Sequence, residues 1–273
     1  MSTRTQDLIF TLFGDYISHR DDTVWIGALI KFLRALDASE QAVRSTTSRM
    51  VRKGWLQTSR RGRMSYYSMT PRMADLLKKG SQQIYYPAQD TWDGRWYLLT
   101  YALNDDLETV RHILRKRLAW LGFGRLSSGT WISPRNRREE LQEILVALNI
   151  QHCVDYFQAD YIFPAQNCSL AQRCWDLAGL NERYQQFIQK HQPQFEHDCI
   201  ADQAGESLTP EAAFRQRFWL VHEYRYFPFS DPYLPHELLP DDWLGHSAIN
   251  LFRSYHDLLR DNANTYVDEV LAP

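Results

Sequence analysis

Cysteine is scarce in this sequence: four in 273 residues, Cys153, Cys168, Cys174 and Cys199, with no CxxC pair among them. Small disulfide scaffolds are dense in cysteine and zinc fingers or ribbons repeat it at short spacing, so neither framework is expected and the thiols are read as buried. His152-Cys153 and His197-Asp198-Cys199 offer ligand types, but no second pair completes a set. Long apolar runs are also missing. The longest, such as residues 96–103, fall far short of the roughly 20 residues a membrane helix needs. Residues 1–20 lack the charged-then-apolar layout of a secretion signal, which places the chain in the cytoplasm with no membrane partner. Gly-rich phosphate loops, a GxSxG elbow and an HExxH pair are absent, so no residue is assigned a catalytic or metal-binding role and no cofactor is expected.

Net charge is nearly absent as well, at -2 from 31 Lys+Arg and 33 Asp+Glu, yet it is unevenly spread. Residues 1–80 carry 14 basic and 7 acidic side chains, or +7; the other 17 and 26 give -9. A basic module is joined to an acidic remainder. What the chain does have is aromatic residues, 14% of the total, enough for large aromatic cores or aromatic-lined pockets.

In the basic module, Leu8, Ile9, Leu12, Phe13 and Tyr16 recur at helical spacing, and so do Trp25, Ile26, Leu29, Ile30, Phe32, Leu33 and Leu36. Ser39 is placed to cap a third helix, running to about Lys53 with Gly54 as its stop. Winding that helix at about 100° per residue puts Ala42, Val43, Thr46 and Met50 on one side. Gln41, Arg44, Ser45, Ser48 and Arg52 fall on the other, an outer face of donors suited to phosphates and base edges. Residues 55–59 and 64–69 are short strand candidates around Arg60-Arg61-Gly62-Arg63. Three helices and a hairpin with a basic tip make a winged helix-turn-helix, whose third helix enters the major groove of double-stranded DNA while the wing arginines Arg60, Arg61 and Arg63 meet the backbone or the minor groove. A solvated amphipathic helix is the bland alternative for such a face.

The stretches LFGDYISHRDDTVWIGALIKFL, AVRSTTSRMVRKGWLQTSRRGRMSYYSMT and WDGRWYLLTYAL resemble the phenylacetic acid catabolon repressor family, PaaX, and the resemblance extends over almost the whole chain. Val43-Arg44, Arg49-Met50 and Gly54-Trp55-Leu56 match family positions. The wheel puts Arg49 on the flank of the helix; the resemblance adds it to the expected DNA contacts, an ion pair with an acid at the edge of the core being the other reading. It also implies a homodimer on a partly palindromic operator for aromatic acid catabolism, released by phenylacetyl-coenzyme A or another aryl-acyl-CoA as effector.

The remainder reads as α+β: a linker at 81–92, a ferredoxin-like (split βαβ) domain at 93–165 and a helical C-terminal domain at 166–273, after the winged helix-turn-helix at 1–80. Strand-like 96–103, a helix along Leu107, Val110, Leu114, Leu118 and Leu121, an interrupted 125–133, a helix with Leu141, Ile144, Leu145 and Leu148, and strand-like 152–158 give the split pattern. The resembled family has here a domain similar to small CRISPR adaptation nucleases, but Asp105 and Asp106 come after the first strand, where they are read as capping the next helix. Metal-dependent nuclease activity through that domain and a scaffold that does not bind DNA are the alternative functions. Thr209-Pro210-Glu211 opens a long helix, and Pro228, Pro232, Pro235 and Pro240 then fix an irregular course. An aryl-acyl-CoA needs an apolar wall and cations for its phosphates, roles offered by Trp219, His222, Arg225 and Tyr226 and by Arg111 and Arg115, four apart on one helix. Core packing is the stronger reading for Trp219 and Tyr226; His222 is read as a core hydrogen-bonding partner or a pH-sensitive contact, and Arg111 and Arg115 as partners of acids across an interface.

Overall fold

The computed structural model describes residues 5–20, 23–85, 91–163 and 166–272. They are α+β, built from helices and two small antiparallel sheets. The chain forms two compact units: Met1–Tyr86, Gln185–Tyr226 and His246–Pro273 in one, Pro87–Tyr184 and Phe227–Gly245 in the other.

In the first unit, helix α1 (Thr5–Leu12) widens into a five-residue π turn at Phe13–Ile17. Strand β1 (Thr23–Trp25) then precedes helices α2 (Ile26–Ala35) and α3 (Glu40–Arg52), strands β2 (Leu56–Arg61) and β3 (Met64–Met69), and helix α4 (Pro71–Tyr85). The second helix starts one residue later than its apolar periodicity predicts, because residues 23–25 are extended and pair with β3, Trp25 opposite Tyr66. Ladder hydrogen bonds from a distant strand satisfy the backbone there in place of another helical turn. The sheet order is β1-β3-β2. Residues 81–85 of the expected linker belong to α4, and 86–90 lie outside the described residues.

The second unit begins with β4 (Trp96–Tyr101), followed by α5 (Glu108–Trp120), β5 (Gly124–Arg125), β6 (Thr130–Ser133), α6 (Arg138–Leu148), β7 (Val154–Ala159) and α7 (Asn167–Cys174). Every neighbouring pair in its sheet, ordered β5-β6-β4-β7, is antiparallel. In chain order this is a βαββαβ connection with the first strand between the third and the fourth, as a split βαβ sheet requires. Alternation along β4 explains its continuous apolar run. Leu99 and Tyr101 pack with Leu114, Leu118, Trp131 and Leu141, whereas Trp96 and Leu98 pack with Ile132, Leu170, Ala171, Leu177 and Leu238. Both faces of the strand are covered, so neither side needs polar residues.

Helices α8 (Leu177–Gln203), α9 (Pro210–Tyr224), α10 (Gly245–Leu258) and α11 (Arg260–Leu271) complete the chain. Thr209 caps α9 through its side chain, accepting from the Ala212 amide, with Pro210 in the first turn. These helices do not form one body from 166 to 273. The boundary between the units falls inside α8, after Tyr184, and the irregular stretch 227–245 sends Leu234 and Leu238 into the core of the second unit.

In the first unit, α9 and α11 pack on each other, α9 packs on α1, and α11 packs on α2. Tyr16 and Phe32 meet Phe214 with ring centroids 5.2 and 5.6 Å apart, and Phe214 meets Tyr266 at 5.0 Å. Such tilted contacts avoid the face-to-face repulsion of ring quadrupoles, and a fully buried Phe is worth about 1.5–3 kcal/mol in apolar area alone.

Candidate nucleic-acid interface

Helix α3 starts where Ser39 Oγ accepts from the Ala42 amide at 3.2 Å. It stops at Gly54, whose φ of +69° turns the chain out of the helix without a Cβ penalty. Val43, Thr46, Thr47 and Met50 are buried. Gln41, Arg44, Ser45, Ser48, Arg49 and Arg52 are all exposed. The wheel's outer side is exposed as expected; of its inner side Ala42 is only half-buried, and Thr47, which it did not single out, is buried. The added Arg49 lies on the solvent side, its Nη2 donating to Thr46 Oγ1 at 3.1 Å rather than to an acid.

Beyond Leu56, every residue of β2 is exposed, so the hairpin projects into solvent with Arg60, Arg61 and Arg63 exposed. Arg60 and Arg61 belong to the strand and not to the turn: Arg61 pairs with Met64, leaving Gly62-Arg63 as a two-residue loop. Gly62 takes φ +61°, as the first position of a primed hairpin turn demands. The Arg61 guanidinium lies 4.8 Å over the Tyr66 ring, which orients it along the hairpin.

One residue of this face escaped the sequence reading. Glu40, the first of α3, accepts from Arg44 Nε at 2.8 Å through Oε1, and its Oε2 lies 3.8 Å from Arg34 Nη2 on α2. The signal that would have found it is the Glu-to-Arg spacing of four on one helix. Glu40, Gln41, Arg44 and Ser45 line an open concavity.

The candidate effector residues fall into two groups, one in each unit. In the first unit Trp219, His222, Arg225 and Tyr226 gather at the end of α9. His222 is buried, with Nδ1 2.8 Å from Thr11 Oγ1, and its ring stands edge-on to Trp219 and to Tyr226. Burial, helped by the Arg225 charge, pushes its pKa down to about 4, so it is a neutral core partner. Tyr226 is not a core residue: it is 51% exposed, and its hydroxyl accepts from Arg225 Nη2 at 2.6 Å. It sits past the last turn of α9, where the helix no longer turns it inward. In the second unit Arg111 Nη2 donates to the carbonyls of Leu103 and Asn104. Arg115 donates from Nε to the Tyr101 hydroxyl at 3.1 Å and from Nη2 to the Ser128 carbonyl. Both arginines donate to carbonyls at the end of a strand and in its loop, and Arg115 also to a hydroxyl; such carbonyls have no ladder partner and accept from side chains instead.

Asp105 and Asp106 sit in a short 3-10 turn before α5. Leu107 holds the N-cap position of α5 and Glu108 is the acid of its first turn. Among the described residues no three His, Cys, Asp or Glu side chains come together as a metal site, and no helix is long and apolar enough to cross a membrane. The four cysteines are free and, contrary to the expectation of burial, partly exposed. Their half-polar positions on helices and turns leave the interior to Leu and aromatic side chains.

Three family models match in succession: a PaaX-like protein at residues 4–73, a PaaX protein central Cas2-like domain at 89–171 and a PaaX-like protein C-terminal domain at 175–269. The transcriptional repressor PaaX of Escherichia coli (strain K12) is 34% identical over 266 residues, covering 96% of this chain and 82% of that protein. An uncharacterized protein from Mycobacterium tuberculosis shares the fold, with a TM-score of 0.64 at 24% identity over 98% of both chains.

Proposed function

Because the chain belongs to the PaaX family, we propose that it is a DNA-binding transcriptional repressor whose N-terminal winged helix-turn-helix reads double-stranded operator DNA. The observation that carries this reading is the sorting of α3: Val43, Thr46 and Met50 are buried, and Gln41, Arg44, Ser45, Ser48, Arg49 and Arg52 are exposed beside a hairpin bearing three arginines. An arginine fork can bond guanine O6 and N7 together, while wing arginines held over the backbone neutralise phosphates without reading sequence. The protein is cytoplasmic and acts as a homodimer, placing two copies of α3 on half-sites about 34–36 Å apart, or a multiple of that.

The regulated genes serve aromatic acid catabolism, and an aryl-acyl-CoA such as phenylacetyl-CoA releases the operator. The aromatic group at the end of α9 suits the acyl ring, and Arg225 beside it suits a coenzyme A phosphate. Release needs only differential affinity: a ligand that favours the DNA-incompetent state by about 1.4 kcal/mol weakens operator binding tenfold.

The test is fluorescence anisotropy on the DNA upstream of the protein's own gene and on a scrambled duplex, over a salt series with and without phenylacetyl-CoA. Preference for the upstream duplex, abolished by the thioester and not by free phenylacetate, is the expected result. Preference indifferent to the thioester removes the effector. An absence of salt-dependent binding to either duplex removes the repressor reading and leaves a scaffold.

A further inference from the structure

A carboxylate on a surface built to meet phosphates lowers the affinity for every duplex alike, because it cancels one of the cations that would displace counterions. Glu40 is such a carboxylate. It is 47% exposed at the leading end of α3, between Arg44 at 2.8 Å and Arg34 at 3.8 Å. Its bond to Arg44 is made to Nε alone. Among the described residues no hydrogen bond engages Nη1 or Nη2 of Arg44. The carboxylate therefore occupies the side of the guanidinium and leaves its end open, and the end carries the two parallel N–H donors that match guanine O6 and N7. Without Glu40 the Arg44 side chain is free to swing toward a backbone phosphate, a contact that carries no sequence information.

We infer that Glu40 is a positioning residue that sets sequence discrimination by orienting Arg44 end-on to a guanine, at the expense of affinity for DNA in general. This rests on the repressor reading. A bland role is available to the same pair, since a Glu-to-Arg spacing of four supports a helix by itself, and the experiment has to separate the two.

The full-length wild type, Glu40→Ala, Glu40→Gln, Arg44→Ala and the Glu40→Ala/Arg44→Ala double variant are each taken through selection on a random-sequence duplex pool. Affinities for the selected duplex, its single-base variants and a scrambled duplex are then measured by anisotropy. Arg44→Ala and Glu40→Ala should lose about tenfold of the preference for guanine at the same base pair. Glu40→Ala should bind the scrambled duplex more tightly than wild type and the double variant should discriminate no worse than Arg44→Ala. Glu40→Gln, which keeps an acceptor and lacks the charge, should recover part of the guanine preference while keeping the tighter scrambled binding. Alanine is the best helix former, so α3 persists in these variants.

An unchanged guanine preference in Glu40→Ala overturns the inference. So does a loss at a base pair that Arg44→Ala leaves intact, which would make Glu40 a reader in its own right. Wild-type protein that selects no sequence overturns the repressor reading, and this inference with it, and that failure is visible before any variant is made.

Discussion

His222 shows how far a single side chain can depart from its usual chemistry. Its folded pKa is about 4 against an ordinary 6.5, because burial disfavours the imidazolium and the Arg225 charge adds to that. The unfolded chain takes up a proton below pH 6.5 that the folded chain refuses until about pH 4, so this group's contribution is complete above pH 6.5 and is lost progressively between those values. A His222→Gln variant should therefore show a flatter fall in stability than wild type between pH 7 and 4.5, measured by urea denaturation. Parallel curves would show that His222 is not held neutral. Arg44 acts at the same scale. Arg44→Ala should cost about 1–3 kcal/mol of discrimination between operator and scrambled duplex. An equal loss on both duplexes would reassign it to a phosphate.

At the scale of elements, the hairpin and the turn before α3 do different work. The hairpin carries Arg60 and Arg61 on a strand exposed on both faces and Arg63 in its loop, which suits contacts that follow the DNA backbone and contribute little to sequence reading. Arg60→Ala with Arg63→Ala should weaken binding to operator and scrambled duplexes alike and reduce the salt slope by about two. A slope unchanged by the pair would take the hairpin out of the interface. The turn is under more constraint. Asp37 has φ +65°, and its Oδ2 lies 3.2 Å from Arg215 Nη2 on α9, while Arg215 Nη1 donates to the Ala35 carbonyl. A β-branched residue tolerates that backbone poorly, so Asp37→Val should destabilise the fold by about 1–3 kcal/mol in thermal or urea unfolding. A fully stable variant would mean the turn adopts another conformation.

Over the whole molecule, the basic N-terminal segment is not a free-standing module, because the last helices of the chain share its core. Arg217 of α9, 5% exposed, lies with Nη1 3.3 Å from Asp15 Oδ2 in the π turn and Nη2 2.7 Å from His256 Nε2 on α10. Its guanidinium also sits 4.8 Å over the Tyr16 ring. Arg20 reaches Asp268 and Asn264 of α11. Removing one member of a buried ionic group leaves a charge without its counter-charge in a poorly polarisable surrounding. Arg217→Met should accordingly cost about 3–5 kcal/mol, and adding Asp15→Asn should recover much of that loss. Equal stability of Arg217→Met and wild type would show that the group contributes nothing to joining these segments. The joining puts α9 in one packed body with α1, α2 and the turn before α3, which its Arg215 reaches directly.

Local chemistry determined what a sequence can determine alone. The cap at Ser39, the stop at Gly54 and the proline-opened start at Thr209 depend on neighbours a few residues away, and the apolar sides of α2 and α3 and the continuous apolar run of β4 are recorded in the spacing of their own residues. The basic character of α3 and the hairpin was equally legible, since charge is carried by composition. Tertiary structure alone decided the rest. The pairing of residues 23–25 with β3, the exposure of Tyr226, the neutrality of His222 and the division of the C-terminal helices between two units all depend on contacts made by segments tens to hundreds of residues apart. Charge suggests a cut near residue 80, and one boundary between the units does lie close by, after Tyr86. The C-terminal helices nevertheless join the basic segment, because buried surface, and not net charge, determines which helices share a core: Phe214 and Tyr266 pack on Tyr16 and Phe32 whatever the sign of the surface around them.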